Sequence, residues 1–317
     1  MLKKLLALCL SLALLCSCGA NGAAPVQEEK EESSFTFTDS LGRSVTVGEV
    51  EHAACLLGSF AQIWTLAGGE LCAAADDAWD DFDLNLGEDV VNLGGTEDLS
   101  MEKLLASQPD FIIASGNRRQ NVEWKETLEA TGIPTAYFEV NNFEDYLNML
   151  DICTKVTGET ERYEQYGLAA QKQIDEVLAA SAERLKNGEA PTVLTMRASA
   201  SSILAKESAS TVLGEILLDL GCVNIADSEE SLLENLSMEK ILQLDPDYIF
   251  FVPRGDDSEG MKAYINSFLG EHPAWAQLSA VKEGRVHIVD KSLFGLKPND
   301  RWGEAYAVAE AMLNEKA

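Results

Sequence analysis

Five arginines stand where short apolar runs end. Arg118 and Arg119 follow the run that ends near Ser115, Arg197 the run ending near Thr195, and Arg254 the run ending at Val252; Arg301, beside Trp302, comes after Val289. A guanidinium is a planar fork of donors that matches the paired oxygens of a carboxylate or catecholate. The chain carries 53 acidic residues against 24 Lys and Arg, a net charge of −29. Cations kept at such places on so acidic a chain point to an anionic ligand, with Arg118, Arg197, Arg254 and Arg301 as its candidate contacts. Pairing with neighbouring acids such as Asp256 and Glu304 is the other use these arginines could have. Phe60, Phe294 and Trp302 are candidate apolar walls.

Other chemistries find little support. His52, His272 and His287 are the only histidines, too few for the multi-histidine sites that hold zinc or manganese, so no metal site is expected. Tyr137 and Met196 have side chains that can ligate haem iron, but nothing singles them out. The chain has no G-x-S-x-G, no H-E-x-x-H and no phosphate-binding glycine loop, so catalysis is not expected. Its negative charge repels phosphate backbones and excludes nucleic acid as a partner.

The apolar runs come in a rhythm. Residues 35–38 and 44–47 alternate around the turn Asp39-Ser40-Leu41-Gly42-Arg43, a hairpin pattern. Strand-like runs near 53–57, 71–75, 90–93, 111–114 and 135–138 then alternate with helical spacing, which predicts a parallel-sheet α/β lobe. Helical spacing over 143–156 and 159–185 follows, the second long enough at ~1.5 Å per residue to join two lobes. The rhythm restarts with strands at 192–195, 248–252 and 286–289 and a closing helix over 305–312. The fold expected is α/β: two similar parallel-sheet lobes (35–155 and 189–317) joined by one long α-helix (156–188), with the ligand cleft between them.

A repeat ties the lobes together. Residues 97–113 and 234–250 share ten of 17 positions at an offset of 137, including Leu99-Ser100-Met101-Glu102-Lys103 against Leu236-Ser237-Met238-Glu239-Lys240, and Pro109-Asp110 against Pro246-Asp247. Ser100 and Ser237 suit helix N-caps, and Glu102 and Glu239 the first turns, where the helix dipole favours acids. In an α/β sheet such helices begin at the carboxyl edge, so the two glutamates should mark the same edge of each lobe.

The N-terminus reads as a leader. Lys3 and Lys4 precede an apolar stretch, residues 5–15, too short for the ~20 residues of a membrane span. Leu15-Cys16-Ser17-Cys18-Gly19 resembles the bacterial lipobox, which makes 1–17 a lipoprotein signal peptide, Cys18 the lipidated residue, and 18–34, with Glu28-Glu29-Lys30-Glu31-Glu32, a flexible tether. Of the cysteines left, Cys55, Cys72, Cys153 and Cys222 match no zinc or haem spacing. Buried free thiols are the favoured state, with a Cys55–Cys72 disulfide left open.

Lipobox, hairpin start, two lobes, spanning helix and repeat together resemble the iron-siderophore, haem and cobalamin class of ABC solute-binding proteins. Thr38-Asp39-Ser40-Leu41-Gly42-Arg43 is similar to the class's "TDxxGR" opening, residues 94–110 to its "GG…(N)LEKILALKPDLII" segment, and the His272-Pro273 segment to its "HPxWxxLxAVKxGRVY" feature. The resemblance covers essentially all of the chain after the leader. It implies an extracytoplasmic monomer held to the membrane by lipid alone, with lobes that move little. It also implies docking on an ABC permease dimer with its ATPase through Glu102 and Glu239. The ligand it implies is an iron chelate, with iron only as part of that chelate and no cofactor besides. Cobalamin or haem is the alternative cargo, and a sensor lipoprotein without a transporter the alternative role.

Overall fold

The computed structural model describes residues 34–186, 188 and 190–315. The expected leader 1–17, the lipid site Cys18 and all but the last residue of the tether lie outside the described residues. No helix among the described residues is long and apolar enough to cross a membrane.

The chain opens on an antiparallel hairpin, β1 (Phe35–Thr38) and β2 (Ser44–Val47). Its turn is tied down by Asp39, which is buried and accepts from the backbone of Leu41 (3.1 Å) and Arg43 (2.9 Å) and from the Arg43 guanidinium (2.6 and 3.0 Å). Gly42 sits at φ 74°, a conformation that favours glycine. Arg43 then donates to the Thr135 carbonyl (2.8 Å) and lies 4.6 Å over the Tyr137 ring, fastening the hairpin to the first lobe. The T-D-x-x-G-R motif is thus structural.

The first lobe is a parallel sheet of β3 (Ala53–Cys55), β4 (Leu71–Ala74), β5 (Val91–Asn92), β6 (Phe111–Ser115) and β7 (Thr135–Phe138), in the order β5-β4-β3-β6-β7. The second contains β8 (Thr192–Ala198), β9 (Ile203–Ala205), β10 (Val223–Asn224), β11 (Tyr248–Pro253) and β12 (Val286–Ile288). Its parallel path is β10-β8-β11-β12, with β9 added antiparallel to β8. The short strands β9 and β10 are additions to the expected set. The chain reverses its direction of winding between β3 and β6 in one lobe and between β8 and β11 in the other, and such switch points open a crevice at the carboxyl ends of the strands.

The internal repeat has a physical meaning. Ser100 Oγ accepts from Lys103 N (3.3 Å) and Ser237 Oγ from Lys240 N (3.4 Å), so both are N-caps. Leu104 and Ile241 are fully buried at matching positions. Gln108 (φ 50°) and Asp245 (φ 39°) both turn left-handed just before the repeated prolines. Asp110 accepts from the backbone of Glu51 (2.8 Å) and His52 (3.1 Å), and Asp247 from the backbone and hydroxyl of Thr192 (2.8 Å each). Each aspartate thereby pins the start of the neighbouring strand.

A helix Phe143–Thr157 closes the first lobe and stops at Gly158, φ 79°. The linking helix follows over residues 161–185, starting later than the expected 156 and interrupted by a π-turn at Glu164–Leu168. At that turn the Tyr166 carbonyl accepts from the Tyr146 hydroxyl at 3.1 Å, and a Cβ on Gly167 would sit 3.0 Å from Leu147. The glycine therefore serves a close approach to the preceding helix. At the other end Arg184 forks onto Glu310 of the closing helix Trp302–Asn314 (3.0 and 3.1 Å).

Strand alternation sorts the core into three parts. Ile112 and Ala114 face one outer layer, Ile249 and Phe251 another. The inward faces, with Phe111 and Ile113 from one sheet and Tyr248, Phe250 and Val252 from the other, join a single apolar core that includes Ala170 and Ile174 of the linking helix. Phe143 and Trp302 meet across it with ring centroids 6.0 Å apart.

Candidate functional site

At the carboxyl ends of the strands the lobes enclose a cleft of ≈ 400 Å³, within the ~300–1,000 Å³ usual for small-molecule sites. From the first lobe come residues 57–60 at the start of the helix Gly58–Leu66, then Asp77, Ser115, Asn117, Arg118 and Asn141. From the second come Arg197, the N-terminus of the helix Val212–Asp219, and residues 294–297.

Arg197 and Lys297 are the central observation. Arg197 lies on the β8 face shared with Val193 and Thr195, and the two-residue period aims it inward. Neither Arg197 nor Lys297 has an ion pair or side-chain hydrogen bond among the described residues. Burial, with the charges of Arg254 and Arg118, lowers the Arg197 pKa. Burial pushes Lys297 down to about 8, the field of Arg197 and Arg118 acting in the same sense and Asp145 opposing it. Arg118 completes the cationic wall, although its outer edge is held by Glu97 at 2.6 Å. Such a half-desolvated, uncompensated cluster is costly without an anion to fill it.

Lys297 carries a testable signature of that cost. Unfolded, it titrates at its ordinary 10.5; folded, at about 8. Between these values the unfolded chain binds the extra proton, so stability rises with pH across that window, and below it the penalty is felt in full. Lys297→Met is therefore expected to stabilise the ligand-free protein at neutral pH by about 1–3 kcal/mol, with the gain shrinking as pH rises towards 10.5. Urea unfolding of both proteins across this range measures it.

The remaining candidates separate. Phe60 and Phe294 line the cleft but are only 3% and 1% exposed, so they form its floor more than its walls. Arg254 is exposed beyond the cleft lining. Arg301 is also exposed and outside the lining. Its guanidinium forks onto Glu304 (2.7 and 3.0 Å), which raises its pKa, and it also reaches Ser292. The acid three residues along has captured it. Trp302 is fully buried against Phe143 in the shared core and offers no face to a ligand. Neither Arg301 nor Trp302 is therefore a cleft residue in this structure. Glu102 and Glu239 are exposed in the first turns of the helices Met101–Ala106 and Met238–Leu244, each without an ion pair among the described residues.

Lys297 and Asp77 are the charged lining residues that sequence reasoning passed over. Lys297 follows the π-turn Lys291–Gly295, which carries no sequence signature. Asp77 was hidden within the run Asp76-Asp77-Ala78-Trp79-Asp80-Asp81, which reads as a solvated surface. Its carboxylate caps the first-lobe helix by accepting from Gly58 N at 2.8 Å.

The histidines stay structural. His272 Nδ1 accepts from Ala274 N at 3.2 Å, and His287 stacks on Tyr248 and Phe250, outside the cleft. Cys55, Cys72, Cys153 and Cys222 are free thiols, so Cys55 and Cys72 form no disulfide here. Burial raises the pKa of Cys55 and Cys153, which keeps both inert. Among the described residues no group of acids, His and Cys could hold a metal ion.

Comparison with known proteins agrees with this architecture. An iron-uptake system-binding protein of Bacillus subtilis is 25% identical over 190 residues, 60% of this chain and 57% of the relative, so the match spans under two thirds of that protein. An Fe(3+)-citrate-binding protein of the same organism is 24% identical over 279 residues, 87% of this chain and 84% of the relative. Staphylococcus aureus SirA, solved in complex with staphyloferrin B, superposes with a TM-score of 0.68 at 17% identity, covering 88% of this chain and 98% of that one, a likeness of fold. Residues 54–293 match the periplasmic binding protein family, and the chain belongs to that family.

Proposed function

We propose that this protein is the extracytoplasmic solute-binding component of an ABC importer, capturing an anionic ferric chelate of the citrate or siderophore type and delivering it to a permease dimer with its ATPase. The observation that carries this reading is the set Arg118, Arg197 and Lys297 around one cleft, two of them without an anionic partner among the described residues. Such cations accept carboxylate or catecholate oxygens through charge-assisted hydrogen bonds. The iron names of the two Bacillus relatives support it. Among the described residues no His, Tyr, Met or Cys lines the cleft, so a haem iron would find no ordinary axial ligand among them. Of the aromatics in the lining, Phe60 and Phe294 are buried and Phe82 alone is partly exposed, which leaves a corrin ring little flat surface to stack on. In this reading iron enters only inside its chelate, and the protein binds without catalysing. Lipid on Cys18 would hold it at the membrane.

Calorimetric titration with ferric citrate, ferric catecholate and hydroxamate siderophores, haem and cobalamin tests the proposal. Selective tight binding of an anionic ferric chelate is expected. Tight binding of haem or cobalamin, with none by the ferric chelates, would overturn it.

A further inference from the structure

One acid stands in the wall of this cationic cleft. Asp77 lines the cleft beside Ser59 and Phe60, and its Oδ1 accepts from Gly58 N at 2.8 Å. It makes no ion pair with Arg118, Arg197 or Lys297, and its second oxygen has no protein partner among the described residues. A Cβ on Gly58 would lie 2.5 Å from the Ala78 nitrogen and 2.6 Å from the Asp77 carbonyl carbon, so the helix start and the Asp77 backbone are in direct contact. A free carboxylate oxygen in a half-desolvated site requires a donor.

We propose, on the basis of the function argued above, that Asp77 grades specificity within the anionic class: the cleft holds chelates that present a hydroxyl or ammonium donor beside their anionic groups more tightly than wholly anionic ones, which it still accepts through its cations. The ligand class this describes is a chelate with two faces. One face is oxyanionic, for Arg118, Arg197 and Lys297. The other is a donor, for the second oxygen of Asp77. A wholly anionic chelate places like charge against that oxygen, unless Asp77 is protonated and donates instead.

The electrostatic setting makes the protonated form accessible. Burial raises the Asp77 pKa to about 6, with Asp76 and Asp81 adding to the rise, and Gly58 N–H and Arg118 opposing it. The helix Gly58–Leu66 packed against it brings no charged side chain. From the second lobe, Lys291 reaches this acidic turn by bridging Asp81 (2.6 Å) to Asp256 (2.7 Å), while Arg197 and Lys297 line the same cleft. Affinity for a wholly anionic chelate therefore strengthens as pH falls through about 6.

Asp77→Asn separates the roles, because an amide oxygen still caps Gly58 while the charge is gone. Against ferric citrate near neutral pH the variant is expected to bind at least about five-fold more tightly than wild type and to lose the dependence on pH near 6, since the like charge is removed. Against ferric mugineate, which keeps a hydroxyl donor clear of the iron beside its carboxylates, it is expected to bind more weakly. Unchanged affinity and pH profile for both probes would overturn the proposal. Carboxyl carbon NMR of Asp77, titrated with and without propane-1,2,3-tricarboxylate, which has no hydroxyl, gives an independent readout. An upward shift of its midpoint with this tricarboxylate is expected, and an unmoved midpoint overturns the proposal whatever the chelates do. A shifted midpoint without binding of any ferric chelate would uphold the role of Asp77 and overturn the ferric reading instead.

Discussion

Replacing Glu102 and Glu239 together with alanine is expected to abolish import while leaving chelate affinity unchanged. Both side chains project from first helical turns at equivalent places in the two lobes, exposed and without ion pairs among the described residues. Neither lines the cleft, so the ligand should not sense their loss. Neither is the capping group of its helix, because Ser100 and Ser237 already accept the first-turn N–H groups. Removing each should cost no more than the ~0.3–1 kcal/mol that an acid gains from a helix dipole. On the function proposed above, each lobe would offer one of these two glutamates to cations on a permease dimer. Uptake of radioactive iron by cells carrying the variant, beside calorimetry on the purified protein, makes the distinction. Import that persists, or chelate binding that is lost, would remove the docking role.

The second large effect is expected at Arg197. Arg197→Gln keeps a polar side chain of similar reach but removes the positive charge and the fork. Loss of a charge-assisted hydrogen bond should weaken an anionic ferric chelate by ~1–3 kcal/mol, roughly five- to 150-fold in Kd. Arg197 depresses the Lys297 pKa, so the two cations are coupled and their substitutions will not add. In the Arg197→Gln variant Lys297 loses a repulsive neighbour and should hold its proton more firmly. Chelate titration of the single and double variants measures the coupling, and unchanged affinity in Arg197→Gln would place the residue outside the ligand's reach.

The fold was legible because its signals are local and repeated. Ser100 and Ser237 are caps, Asp110 and Asp247 pin neighbouring strands, and Asp39 with Gly42 and Arg43 forms a self-contained turn. The cleft was legible in part. Arg118 and Arg197 could be placed because parallel strands bring their carboxyl ends to one edge. Arg301 could not, because whether a guanidinium meets a ligand or Glu304 depends on a contact one helical turn away. Trp302 looked like a wall because it stands beside that arginine, yet it is the first residue of the closing helix and turns into the core. Lys297 and Asp77 were missed for a related reason: the π-turn before Lys297 and the contact of Asp77 with Gly58 arise only once the two lobes are folded.

The apolar core that runs from one sheet through the linking helix to the other has a thermodynamic consequence. Lobes that are separate in sequence are not separate units of stability. Parting them would expose Trp302, Phe143 and Phe294 together and release the buried Asn299 from the Ser59 carbonyl and the Gln62 side chain. Melting either lobe would uncover the buried face of the other, and heating should carry the described body through one cooperative transition. Ligand held in the cleft would then stabilise both lobes together, even though the cations proposed to hold it are only a few side chains of the lining.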